Sequence, residues 1–382
     1  MKYLLLFSVM LAFSIQKLKA QSFHFDYHEI GEFKDRWGQT SLTDVDNDGD
    51  FDWVFGRFGE MYWYEYLEAT QWVLHELGQG ASTDVGGCPA DINRDGWMDF
   101  VVGDSWYENT GKPKSEQFIL HRKNMISCHD NIYVDVNGDG IKDVVSVSNH
   151  PDHPVLAWYQ IPSDYRQNWD YHKIGQGIHG GIAPHGYGDL DQDGDLDLVR
   201  GNAWFEQVDD QGLQWKMHEN LVPPGGNRPD RYGLALRTWC VDLDGDGDLD
   251  IVEAEADTEN GRVFWFENQG RGSNFIYHPI TAEETGQDFH SLALADFDGD
   301  GDLDVCSGGG PLSTDEFKMF IWENVHGNGS EWKEHLILSG KRIHETVAAD
   351  VDQDGDVDIC SKAWRSGVHF YLENQQIKVQ KN

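Results

Sequence analysis

Beyond residue 40 the chain alternates short apolar runs with short polar turns, and the same order of runs keeps returning. One unit shows the order. A β-branched or alanine-rich run such as "SLALA", ending at Ala295, leads into a nine-residue acidic stretch, and a second apolar run such as "LVRG", after Asp197, follows it. Next comes an aromatic run: "YWYE" at 62, "WYEN" at 106, "AWYQ" at 157, "AWFE" at 203, "FWFEN" at 264, "IWEN" at 321 and "FYLEN" at 370. A last run carries an aromatic-x-x-His pattern ending at His75, His121, His172, His218, His278 and His335. Runs this short, bounded by Gly, Asp and Asn, predict strands. Four strands per unit and seven units predict an all-β fold, a seven-bladed β-propeller. The last unit lacks its fourth run, while an orphan "FDYH" ending at His28 precedes the first. The two termini are therefore expected to complete one blade and leave no open sheet edge.

The acidic stretches begin at Asp44, Asp91, Asp135, Asp189, Asp242, Asp296 and Asp350, spaced by 47, 44, 54, 53, 54 and 54 residues. Carboxylates at alternate positions around a glycine turn gather several oxygens on one point, as a hard cation such as Ca2+ requires. The opening resembles D-x-[DN]-x-[DN]-G of an EF-hand, but the closing acid stands ninth and a strand follows instead of a helix. The expected calcium ligands, at positions one, three, five and nine, run through all seven units. They are Asp44, Asp46, Asp48 and Asp52; Asp91, Asn93, Asp95 and Asp99; Asp135, Asn137, Asp139 and Asp143; Asp189, Asp191, Asp193 and Asp197; Asp242, Asp244, Asp246 and Asp250; Asp296, Asp298, Asp300 and Asp304; and Asp350, Asp352, Asp354 and Asp358.

These loops also change how the charge is read. Of 67 acidic residues, 31 are aspartates inside them, so seven bound calcium ions would move the net charge from -38 to -24. Much of the acidity is structural, and no basic stripe exists to neutralise phosphates, which excludes nucleic acid as a partner. No organic cofactor is expected. The first 20 residues, "MKYLLLFSVMLAFSIQKLKA", have the basic start, apolar stretch and small terminal residue of a signal peptide, too short for a membrane span. Residues 21–382 are expected to form one propeller, exported to the periplasm or medium and acting as a monomer. Of the five cysteines, Cys306 and Cys360 occupy places where other units have valine and read as buried apolar residues, whereas Cys88 and Cys128 are placed so that they could pair.

The calcium loops join first to second strands, so function is expected on the opposite face, where the other loops converge. Histidine gives the sharpest signal there. Seven of 17 histidines belong to the fourth-strand pattern, where a repeated structural role is expected; His129, His290 and His344 stand six residues before their loops, and His185 four before. Those offsets place four imidazoles at the entrances of innermost strands, a catalytic constellation in which two would act as base and acid. Tyr187 or His150 would substitute for one of them. Rim residues suited to a sugar are Arg57, Asn149, His150, His153, Asn202, Arg237, Trp239, Lys362, Trp364 and Arg365, which offer cations, amides and aromatic faces. Asp104, Glu253 and Glu255 are acids expected at the same rim. No nucleophile elbow, zinc-protease helix or phosphate-binding glycine loop is present.

The seven D-x-D-x-D-G-x-x-D units with their W-[YF]-E-N strands resemble FG-GAP/VCBS repeats over essentially the whole chain after the leader. Among such propellers, a secreted one with a histidine-rich funnel is similar to carbohydrate-active members: ulvan-oligosaccharide dehydratases, ulvan lyases, and the propeller of aldos-2-ulose dehydratase, whose cupin domains have no room here. The resemblance implies β-elimination from a uronic-acid-containing oligosaccharide or polysaccharide. The preferred form is a dehydratase acting at the non-reducing end, with Arg57, Arg237 or Arg365 clamping the carboxylate. A chain-cleaving lyase, a glycoside hydrolase and a calcium-stiffened propeller that only binds glycan or protein are the alternatives.

Overall fold

β-Branched and aromatic side chains pack well on a pleated surface, and the alternation of such residues is realised as strands at every unit. The computed structural model describes residues 23–32, 38, 40–148, 154–229, 234–364 and 367–376. Their strands form seven sheets, six of four strands and one of five, and each sheet but the last runs in chain order from an innermost to an outermost strand. The chain is thus an all-β, seven-bladed propeller.

The first blade comprises Thr40–Thr43, Asp52–Arg57, Glu60–Glu68 and Gln71–Gln79. The seventh comprises Glu345–Ala349, Asp358–Lys362 and Val368–Asn374, and its fourth strand is Phe25–Glu32, paired antiparallel with Phe25 opposite Asn374. This is the closure that the orphan "FDYH" predicts. One element departs from the repeat. In the fourth blade the innermost strand shrinks to Tyr187–Gly188, and the preceding Pro184–His185 pairs in parallel with Ala235–Val241 of the fifth blade.

Burial falls outward across each blade. In the fifth, the second strand Asp250–Ala256 is buried at every position, whereas the outermost Phe275–Pro279 alternates between half-buried and exposed. Middle strands are covered on both faces by neighbouring blades, and outer strands show one face to solvent. The core accordingly divides into seven apolar clusters, each bridging one pair of adjacent blades; Trp53 and Tyr64 of the first meet Cys360 and Tyr371 of the seventh to close the ring.

Two sequence signatures acquire physical roles. The fourth-strand histidines stack on the third-strand aromatic beside them, as His218 does on Trp204 at 4.1 Å and 5°, except His335, which lies opposite Ile321 and meets Phe23 edge-on. Most also reach the glutamate of the aromatic strand: His75 to Glu65, His121 to Glu108, His218 to Glu206, His278 to Glu267, His335 to Glu323, and His28 to Glu373, all at 2.6–2.8 Å. Gln160 replaces that glutamate beside His172, whose Nε2 is buried without a partner. The asparagine of "EN" is an inter-blade tie. Asn109, Asn268, Asn324 and Asn374 donate their amide N–H to carbonyls of Val45, Leu190, Leu243 and Phe297, each in the calcium loop of the preceding blade. All five thiols are free, so the Cys88–Cys128 pair is not formed; Cys128 instead donates its S–H to the Gly103 carbonyl at 3.3 Å, and Cys306 and Cys360 are buried as expected.

Candidate functional site

The seven acidic loops lie together on one face of the ring and repeat one construction. The first aspartate accepts, through Oδ2, the N–H of the glycine at the sixth position, 2.9–3.2 Å away in every loop. That glycine has φ between 85° and 108° in all seven, the left-handed region that a side chain would make costly. The ninth aspartate is buried and accepts two backbone N–H groups, for Asp250 those of Leu243 and Asn268, stapling the loop to the third strand. Each of its oxygens keeps one lone pair that would suit a cation: donor atoms of Asp189, Asp191 and the ninth-position Asp197 lie within 4.8 Å of one another, and in the fifth blade those of Asp242, Asp244 and Asp246 do.

A calcium ion fits this construction. Asp44 Oδ1, Asp135 Oδ1 and Asp350 Oδ1 are buried with no hydrogen-bond partner, and an unneutralised buried carboxylate oxygen is costly. Positions one, three, five and nine would hold the ion, which would supply charge neutralisation and stiffness at the lower face. The loops are not equal, however. In the second and third blades Asn93 and Asn137 donate an amide N–H to Asp95 and Asp139, so a neutral group replaces one carboxylate. In the first, the Lys114 ammonium already lies 2.5 Å from Asp46 and 2.6 Å from Glu65.

The opposite face gathers a different chemistry around the axis. His129 and Glu345 border innermost strands, His290 and His344 stand in the segments leading to such strands, and Lys362 ends a second strand, opposite Glu345 in register. Arg237 grips Glu345 with one Nη at 2.7 and 2.9 Å, and its Nε donates to the His290 carbonyl at 3.0 Å. His290 and His344 stack at 3.8 Å and 22°, with their Nδ1 atoms 3.5 and 3.3 Å from Glu345 Oε1. Trp364 lies parallel to His344 at 6.5 Å.

The network continues through Asp257, whose carboxylate is 3.3 Å from His179 Nε2 and 3.8 Å from His290 Nε2. Asp257 has φ 54°, an uncommon conformation at the end of a buried strand. His179 packs against His129 at 4.5 Å, and His129 Nδ1 meets Asp130 at 2.7 Å. The other Asp130 oxygen accepts the successive N–H groups of Gly181, Ile182 and Ala183. A side chain at Gly180 would crowd His129 Nδ1 at 3.2 Å, so glycine admits this close approach.

These surroundings drive the two stacked imidazoles apart. Burial works against the His290 charge, but the carboxylates of Asp257 and Glu345 outweigh it and raise its pKa to about 9. Burial, and then the positive charges of His290, Lys362 and Arg237, hold His344 neutral, well below the usual histidine range. Asp257 and Asp130 are kept ionised despite burial by their histidine partners. Asp288, close enough to sense His290, is pushed up to about 6 by burial. Donor atoms of His290, His344 and Glu345 lie within 4.8 Å of one another, a spacing that suits a cation. Arg237 and the His290 proton already supply positive charge there, although His290 Nδ1 and His344 Nδ1 are buried without a hydrogen-bond partner.

The structure therefore brings His129, His290, His344, Arg237, Lys362 and Trp364 of the expected residues to one place, and not the others. His185 is packed at 4.1 Å against Tyr187 and stacked at 5.2 Å on Trp239, where burial depresses its pKa; the irregular parallel strand carries it away from the cluster. Tyr187 and Trp239 line the central channel below, a cavity of about 390 Å3, and the Trp239 indole N–H donates to the Leu292 carbonyl. Arg237 is spent on Glu345 and does not present a free clamp. Arg57 faces Glu60 of its own hairpin at 3.4 Å. Glu253 is sealed inside its strand with both oxygens unpartnered, and Glu255 forms a buried pair with Arg262 at 2.8 Å, so neither is at the rim. Asp104 accepts the Ser105 hydroxyl at 2.8 Å. Asn202 meets Arg200 in a side cavity. Asn149, His150, His153 and Arg365 lie outside the described residues, as does the expected leader. Sequence reasoning missed His179, Asp257, Asp130 and Glu345. Two of these stood immediately after expected histidines, in "HD" and "HE".

Comparison with known proteins bears on the fold. A family model described as FG-GAP-like repeat matches residues 44–102, 135–199 and 242–307. No curated protein sequence matches the chain significantly. Among solved structures, BBS1N in complex with ARL6DN, soaked with mercury, is similar at TM-score 0.55 and 10% identity, over 92% of this chain and 96% of that one. A lectin of Agrocybe aegerita, described as recognising non-reducing terminal N-acetylglucosamine, aligns at TM-score 0.49 and 15% identity, over 78% of this chain and 80% of that one. Among the described residues no helix is long and apolar enough to cross a membrane. The chain is a seven-bladed β-propeller that carries FG-GAP-like repeats in these three stretches.

Proposed function

We propose that the upper face is the active site of an exported carbon–oxygen lyase acting on uronic-acid-containing oligosaccharides. The observation that carries this reading is the His290–His344 stack, two imidazoles 3.8 Å apart whose surroundings keep one protonated and the other neutral at neutral pH. Paired groups with pKa values pushed apart are the mark of an acid and a base. His344 takes the C5 proton, the C5–H electrons form the C4=C5 bond, the C4–O bond breaks, and the His290 imidazolium delivers a proton to the departing oxygen. Because the rings share one stack, both transfers occur on the same face of the sugar. Water as the leaving group makes a dehydratase, the preferred form, and a sugar makes a chain-cleaving lyase. Lys362 and His290 supply the positive field for charge gathering on the substrate carboxylate. Arg237 holds Glu345 in place, and Asp257 positions His290 and His179.

One observation favours a second reading, a propeller that binds glycan or protein without reaction: His290 and His344 are only 4% and 5% exposed. Incubation with uronic-acid oligosaccharides, ulvan fragments first, separates the two. Ultraviolet absorbance of a conjugated uronate together with loss of one water by mass spectrometry is the expected result. Saturable binding with the sugar recovered unchanged would transfer the assignment to the binding module, and a product without a new double bond would indicate hydrolysis.

A further inference from the structure

A second cavity, about 520 Å3, opens between the third and fourth blades and does not belong to the histidine cluster. Its size is that of a ligand pocket, roughly 300–1,000 Å3. The walls mix apolar and polar groups: Ile174, Phe205 and Met217 together with Gln176, Asn202, Glu219 and Arg200. Arg200 is unusual for a pocket wall, being only 6% exposed. Its guanidinium donates to the Gln176 carbonyl and, at 3.0 Å, to Asn202 Oδ1, and it lies 5.5 Å from the Phe205 ring. Its Nε is buried with no partner, a donor whose neglect costs about 1–3 kcal/mol. The Glu219 carboxylate is close enough to act on the guanidinium, so the cavity carries no large net charge.

The cavity also borders the histidine network at His179. The wall at Gln176–Ile178 runs directly into His179, whose N–H donates to the carbonyl of Leu234, itself a wall residue, at 3.1 Å. Gly201, beside Asn202, donates to the Gly181 carbonyl in the turn that holds Asp130.

We infer that this side cavity is a subsite for a neutral pyranose unit adjoining the sugar held at the histidine cluster. Arg200 Nε, Asn202 and Glu219 would bind ring hydroxyls, and Phe205 and Met217 would meet the apolar ring face. A balanced set of one cation, one carboxylate and two amides suits hydroxyls, whereas a sulfate or carboxylate would meet Glu219. The inference rests on the proposed site as the neighbouring subsite and deepens it: the ligand is at least a disaccharide, extended toward the fourth blade.

Calorimetric titration with free glucuronic acid and with a disaccharide that joins an unsulfated pyranose to a uronic acid tests it. The disaccharide should bind the wild-type protein the more tightly, and Arg200→Ala should reduce that advantage about tenfold, equivalent to 1.4 kcal/mol. Met217→Asp, a change at a side chain 46% exposed, should do the same even if Arg200→Ala fails to fold. A folded Met217→Asp protein with the full advantage, or no advantage in the wild type, overturns the inference. Failure of the lyase reading is distinguishable, since an Arg200-dependent gain in binding with no unsaturated product would sustain the subsite while removing the reaction.

Discussion

The two faces of this ring spend carboxylates in opposite ways. Below, 31 aspartates recur in seven near-identical loops, and their oxygens are occupied by backbone N–H groups or left to a cation. Above, Asp130, Asp257 and Glu345 occur once each and are matched one by one against His129, His179, His290 and Arg237. The difference teaches where chemistry can be sought in a repeat protein. Repetition with one charge sign makes a scaffold completed by an ion, whereas unrepeated residues of both signs make a place where protons can be held unequally.

The largest test of this contrast is removal of calcium. Each occupied loop should lose about 2.7 kcal/mol when free calcium falls from a hundred times its dissociation constant to none. Thermal melts with chelator should therefore drop steeply, with the second and third blades contributing least because Asn93 and Asn137 replace carboxylates. Activity should vanish only where the fold does. Activity lost at temperatures where circular dichroism still reports an intact propeller would make the lower face catalytic and end the contrast.

Next is Arg237→Met, which leaves Glu345 buried without its partner at a cost of about 3–5 kcal/mol. Adding Glu345→Gln should recover part of that loss in urea denaturation. Equal losses in the single and double variants would mean that the pair is not coupled.

His344→Gln comes third. It keeps the shape but not the basicity, so kcat should fall about 10²–10⁴-fold with binding retained. The pH profile sharpens the roles. His344 must be neutral, so activity should fail as pH drops through its depressed pKa. His290 must be protonated, so activity should fail, about tenfold per unit, as pH rises through about 9. Linkage gives the matching stability effect, because a raised histidine pKa stabilises fully below 6.5 and the contribution is lost as pH rises through about 9. A rate that climbs from pH 7 to 10 would exclude His290 as the acid.

The sequence showed the scaffold almost completely, because a repeat samples its own constraints seven times. Strand order, loop position and the shared terminal blade all follow from period and alternation. The upper face was half legible. His129, His290 and His344 could be placed by their common offset from the loops, but the same offset logic failed at His185, where Pro184–His185 crosses to the fifth blade and breaks the register. Asp257 was invisible because its role depends on a left-handed φ, and Arg237 was misjudged because its partner, Glu345, comes 108 residues later. Spacing reports which residues share a strand, not which charges meet across the axis.

The smallest effect asks whether the outer histidines truly belong to the scaffold. His218 lies flat on Trp204 and 2.6 Å from Glu206, yet both partners of the ion pair are about one-fifth exposed, and Lys216 competes for the same carboxylate at 2.7 Å. Solvent-exposed pairs contribute little, and the stack adds a modest amount, so His218→Ala should cost about 1 kcal/mol in a urea melt. Activity per folded molecule should stay at the wild-type level, since five other blades repeat the histidine–glutamate pair and none of it reaches the axis. A kcat changed tenfold by this substitution, with stability untouched, would mean that the outer strands communicate with the upper face. The division between repeated scaffold and unrepeated chemistry would then have to be drawn elsewhere.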